Sequence, residues 1–156
     1  MQADVVFRAL IEFARASADL YLCWAEAFQD DQEVAAIWGR MATEETGLAN
    51  LVAYQRRVLK KSGSLTGDVG PAMDEVSMLV EVVRRALESP THSLEDAVRL
   101  AVWMEASAAG GELQGALTKS HPEVQRLLGH LGADGQAHVQ KLKDLAARRG
   151  IQLLSA

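Results

Sequence analysis

The chain is poor in cysteine, proline and aromatic residues: one Cys, three Pro and 5% Phe, Trp and Tyr in 156 residues. Cys23 has no second thiol to pair with, so an intramolecular disulfide is excluded, which fits a reducing compartment; a small buried apolar role is expected for it. So few prolines leave long helices uninterrupted. No segment alternates apolar and polar residues in the manner of a strand. No apolar run approaches the ~20 residues that cross a bilayer. The first residues, MQADVVFRALIEF, lack the basic region and cleavage site of a secretory signal. The expectation is a cytoplasmic protein without a membrane partner. A basic excess is missing too, since the net charge is −5. Arg56-Arg57, Lys60-Lys61 and Arg148-Arg149 stand where helix C-termini are expected, and there cations complement the helix dipole. Nucleic acid is therefore not an expected partner. Phosphate-cradling glycine loops and the Gly-x-Ser-x-Gly turn are absent as well.

What is present is helix-forming: 49% apolar and 24% charged residues, rich in Ala, Leu, Val, Glu and Arg. The length suits one domain spanning 1–156. Helical spacing of Phe7, Leu10, Ile11, Ala14, Ala18, Tyr21, Leu22, Ala25 and Phe28 predicts a first helix over about 4–29. Asp30-Asp31 breaks it and offers a cap for a second helix over 31–61. The connection is short, so these two helices should form an antiparallel hairpin. Ser62 to Pro71, with three glycines, is a loop. A helix over 72–88 follows. Ser93, with Asp96 three residues on, caps a helix over 94–118. His121-Pro122 interrupts the chain, and a last helix over 123–149 ends at Gly150. The fold class is all-α: two hairpins joined by a long crossover that contains an extra helix.

The hairpins read as a degenerate repeat. Glu33 to Lys60 aligns without a gap with Glu123 onward, setting Glu44 against Asp134 and Leu48 against His138. The buried stripe of the second helix should be Val34, Ile37, Met41, Glu45, Leu48, Val52 and Leu59. That of the last helix should be Val124, Leu127, Leu131, Gly135, His138, Leu142 and Leu145. A carboxylate and an imidazole thus fall on faces that should be buried. In the odd helices Ala16-Ser17-Ala18 matches Ala106-Ser107-Ala108, which sets Arg15 opposite Glu105. Glycines 129, 132 and 135, three apart in one helix, call for close packing, since each costs ~1 kcal/mol against alanine.

These features together resemble the rubrerythrin-like branch of the ferritin-like superfamily over nearly the whole chain. The segments ASADLY, AIWGRMATEETG and LEDAVRLAVWMEASA carry the resemblance. It implies a ferritin-like four-helix bundle with one long crossover, and a di-iron site built from a Glu on each odd helix and Glu-x-x-His on each even helix. Carried over residue by residue, the set is broken. Arg15 stands where the first Glu belongs, with Glu12 as the alternative one turn away. Glu45 is kept, but Leu48 replaces its His. Glu105 is kept. Gly135 replaces the second even-helix Glu, beside Asp134, and His138 is kept.

Three expectations follow. In the first, the di-iron centre is largely lost, no cofactor is bound, and the bundle is a non-catalytic scaffold or partner-binding protein, a homodimer. Arg15 then bridges Glu45 and Glu105 as a buried ion pair in the metal's place. In the second, Glu45, Glu105 and His138, with Glu12, Glu112 or Asp134 as further candidates, still hold iron as a mononuclear or dinuclear site. Peroxide reduction or iron handling is then what the resemblance implies. A third expectation is a small apolar ligand in space lined by the glycines. No catalytic residue is assigned.

Overall fold

The computed structural model describes residues 3–63, 70–110 and 122–153, the side chains of 71 and 122–132 excepted. Among the described residues there are five helices and no strand: α1 Ala3–Ala27, α2 Gln32–Lys61, α3 Gly70–Glu88, α4 Leu94–Ala108 and α5 Pro122–Arg149. Side-chain caps set two of the starts. Asp31 accepts a hydrogen bond from the backbone N–H of Val34 (3.2 Å), and Ser93 Oγ accepts one from that of Asp96 (3.2 Å). Each satisfies an orphan donor of the first turn, worth about 1 kcal/mol. Gly150 ends α5 at φ +65, a conformation that glycine adopts without penalty, and Ile151 N–H returns to the Ala146 carbonyl.

The helix expected to run to residue 118 is capped at Ala109, whose N–H bonds back to the Glu105 carbonyl; Gly110 follows with a bond to Ser107. Two alanines leading into a Gly-Gly pair give the last turn little side chain to pack, and glycine carries the largest entropic cost in a helix. Residues 111–121, with Glu112 among them, lie outside the described residues.

α1 and α2 lie antiparallel along their length. At one end the Arg56 guanidinium grips Asp4 with two hydrogen bonds, 2.7 and 3.1 Å, and holds that carboxyl below its ordinary range. At the other, Trp24 packs on Trp38. α4 and α5 form the second pair, α3 lies against α1, and α2 meets α5. The core joins Phe7, Leu20, Tyr21 and Trp24 of α1 to Trp38 and Met41 of α2, Leu79 of α3, Met104 of α4 and Leu142 of α5. Each such side chain contributes about 1.5–3 kcal/mol by leaving water. No helix among the described residues is long and apolar enough to cross a membrane. Cys23 is half-buried instead of fully enclosed, and Trp103 is exposed.

Candidate metal centre

Three charged side chains are enclosed in this apolar interior. Glu45 is 3% exposed, Glu105 4% and His138 2%. They come from α2, α4 and α5 and occupy the same helix faces as the surrounding core: Met41 and Val52 beside Glu45, Ala101 beside Glu105, Leu142 beside His138. Helical periodicity alone therefore turns them inward. One ligand atom from each lies within 4.8 Å of the others.

The imidazole is the centre of the group. Its Nδ1 is 3.2 Å from Glu105 Oε2 and 3.4 Å from Glu45 Oε1. Neither oxygen is aligned as a hydrogen-bond acceptor, so Nδ1 is a buried nitrogen with close carboxylates but no directed partner. Its Nε2 meets the Glu44 carboxylate at the bundle surface, and Glu44 also contacts Lys141 Nζ at 3.4 Å. The other oxygen of Glu105 accepts a hydrogen bond from the Tyr21 hydroxyl at 2.7 Å.

Without a cation, protons balance the charges. Burial penalises the ionised form of Glu45 and Glu105 repels it, and together they push the Glu45 carboxyl up to about 8 against the opposing pull of His138. Burial would lower the His138 pKa, but contact with Glu105, then Glu45 and Glu44, raises it to about 11. Burial, followed by the charges of Glu105 and Glu45, keeps the Tyr21 phenol protonated well above its ordinary value.

The remaining sequence candidates fall elsewhere. Arg15 is exposed and does not bridge Glu45 and Glu105. It belongs to the outer stripe Arg8, Glu12, Arg15, Asp19 and Leu22, while Ala14, Ser17, Ala18 and Tyr21 face inward. Two residues turn a helix by about 200°, so the register inferred from the Ala-Ser-Ala match put the guanidinium on the wrong side. Glu12 shares that outer stripe and pairs with Arg84 of α3. Asp134 is exposed on the rim of a groove of about 430 Å³ beside Glu44, Leu48 and His138. Gly135 is buried where the repeat calls for a carboxylate. A Cβ there would stand 3.0 Å from the Ala109 Cβ and 3.4 Å from the Glu105 carbonyl oxygen, so close approach of α4 and α5 has taken that ligand's space.

Two participants were not singled out from sequence. Glu44 had a signal, its alignment with Asp134 next to Glu45. Tyr21 read as one more member of an apolar stripe, and only the assembled bundle brings its hydroxyl from α1 to Glu105 of α4.

The donor set passes a simple test of fit. Ligands ~2.1 Å from one metal ion lie ~3.0–3.4 Å from each other in octahedral or tetrahedral arrangement. The two Nδ1–carboxylate separations, 3.2 and 3.4 Å, fall in that range. Two carboxylates neutralise a divalent charge, and Glu44 stands behind the imidazole as carboxylates commonly do behind metal-bound histidines. Compared with known protein families, with curated proteins and with solved structures, the chain matches none.

Proposed function

We propose that this protein is a metal-binding helical bundle of the ferritin-like, rubrerythrin-like kind that keeps one metal position and holds one divalent first-row ion on Glu45, Glu105 and His138 Nδ1. The observation that carries the proposal is the buried Nδ1, 3.2 and 3.4 Å from two carboxylates and without a directed hydrogen bond. Two hard oxygens and one imidazole suit ferrous or manganous ion better than thiolate-seeking metals. When bound, the ion supplies Lewis acidity or a one-electron redox change. Glu45 and Glu105 balance its charge. Glu44 accepts a hydrogen bond from the Nε2–H and so fixes the tautomer that presents Nδ1. Tyr21 orients Glu105 through its second oxygen. Three protein ligands leave coordination positions for water or a small oxidant, and the groove beside His138 gives that edge of the site an opening.

The test is elemental analysis for iron, manganese and zinc on protein purified without chelator, repeated after anaerobic loading with ferrous iron. About one metal per chain is expected for the parent protein and none for His138→Leu. Two per chain, or none in a folded protein, would overturn the one-metal assignment.

One observation favours a second reading. With its pKa raised to about 11, the His138 imidazolium itself neutralises the carboxylates, the role expected of Arg15. In that case the bundle is metal-free and acts as a scaffold for another protein or a second copy. A metal content of none, with stability intact, selects this reading.

A further inference from the structure

Both threonines of α2 bond the backbone carbonyl one turn back, as hydroxyls inside helices commonly do. Thr43 Oγ1 donates to the Gly39 carbonyl at 3.1 Å and Thr46 Oγ1 to that of Ala42 at 3.0 Å. Ser17, in the middle of α1, does not. It is 0% exposed, and its Oγ has no hydrogen-bond partner in the protein. The Trp24 and Trp38 indole N–H groups are unbonded too, but each is fixed in a ring held by its packing. A seryl hydroxyl swings about one bond, so packing does not explain why Ser17 forgoes the backbone.

Two features of the bundle place Ser17 beside the buried charges. The first is helix register. Trp24 of α1 packs on Trp38 of α2 with ring centroids 4.9 Å apart. The helices are antiparallel, and two turns bring a side chain back to the same face. Ser17, two turns before Trp24, therefore stands at the level of Glu45, two turns after Trp38. The Asp4–Arg56 pair at the far end keeps that register to within two residues. The second feature is Tyr21, one turn after Ser17. Long side chains on a helix lean over the turn before them, so the Tyr21 hydroxyl meets Glu105 near the level of Ser17. The other inward side chains of α1 here, Ala14 and Ala18, are small and apolar.

We propose that Ser17 completes the site from α1: its hydroxyl hydrogen-bonds a single water that fills an open coordination position of the ion on Glu45, Glu105 and His138. The inference rests on the one-metal reading above. Two carboxylates already neutralise a divalent ion, so a neutral ligand adds no unbalanced buried charge. A hydroxyl both donates and accepts, which suits water, and the alanines beside it add no charge or further hydrogen bond to hold anything larger. A ligand that displaces the water must satisfy Ser17 or leave that buried hydroxyl unbonded. Ser17 is thus a specificity-determining contact for small hydrogen-bonding ligands of the ion.

The test incubates the full chain with manganous ion in water enriched in the magnetic isotope of oxygen. Electron–nuclear double resonance reads whether a water oxygen coordinates the ion, and relaxation of the solvent oxygen reads how long that water stays. The expected result is a coordinated water in the parent whose residence time shortens several-fold in Ser17→Ala at unchanged manganese content. Thr43→Val, which removes a hydroxyl already bonded to the backbone, should leave the residence time unchanged. Without metal, Ser17→Ala should melt no lower than the parent, since it removes a buried group that has no protein partner. Manganese bound without a coordinated water, or with a residence time that Ser17→Ala does not alter, overturns the assignment and leaves the metal site standing. Manganese lost in Ser17→Ala alone would make the hydroxyl a ligand in its own right, and that also overturns it. So does a lower melting temperature of metal-free Ser17→Ala, which would show that the hydroxyl serves the fold. No manganese in either protein overturns both the assignment and the one-metal reading.

Discussion

α2 and α5 are joined by charged groups at two levels, and the two junctions differ chiefly in their access to water. At the bundle end, Arg148 and Arg149 of α5 meet Asp31 and Glu33 at the start of α2. Arg149 pairs with Asp31 at 2.6 and 3.0 Å, and Arg148 with Glu33 at 2.6 Å. Midway along the bundle, His138 of α5 meets Glu45 of α2 and Glu105 of α4 with hardly any exposure. The outer junction has the shorter bonds and better directed geometry, yet solvent competes for every one of its groups. The inner junction has looser contacts, but each charge there depends on its neighbours because water does not reach it. Hydrogen-bond length is therefore a poor guide to which junction matters more.

The strongest way to break this contrast is His138→Leu. In the metal-free protein it leaves buried carboxylates without a cation, and the expected loss is about 3–5 kcal/mol, read from denaturant unfolding. It should also abolish metal binding. A variant as stable as the parent would mean that the inner junction carries no more weight than the outer one.

Glu44→Ala tests the boundary between the two environments, since Glu44 is partly exposed yet bonds the buried imidazole. Removing such a supporting carboxylate should weaken metal affinity about 10–100-fold. Titration calorimetry with manganous ion measures this, and an unchanged affinity would remove Glu44 from the site.

The pH dependence sharpens the comparison further. In the metal-free protein Glu45 is raised from 4.5 to about 8 and His138 from 6.5 to about 11. Both folded values lie above the unfolded ones. The stability each group contributes is thus complete below its unfolded value and is lost as pH rises through the folded value. Melting temperature without metal should fall from pH 5 to 8 through Glu45, and further toward pH 11 through His138. Metal affinity should rise over the same interval, because the ion displaces those protons. A metal-free melting temperature that climbs from pH 5 to 8 would contradict the buried arrangement.

The smallest effect is expected at the outer junction. Arg149→Ala should shift melting less than any change above, and the shift should shrink further in concentrated salt. An effect of Arg149→Ala matching that of His138→Leu would erase the distinction between the junctions.

Much of this was legible in the residues themselves. The all-α class, the short first hairpin, the Asp31 and Ser93 caps and the inward faces of Glu45 and His138 follow from local chemistry and a 3.6-residue period, which act within one helix. The arrangement between helices was less accessible. Arg15 was assigned to the interior because a match of small residues does not fix rotation, and two positions of slip carry a side chain across the helix. The caps determine where helices begin, and the apolar stripes determine which face turns inward. Only the packed bundle decided that an imidazole from α5, instead of a guanidinium from α1, would stand between the two carboxylates. It also decided that Tyr21 would reach Glu105 and that Gly135 would be filled by Ala109. Those outcomes depend on the distances between helix axes, which are set by all the side chains at a contact together and by no single stretch of sequence.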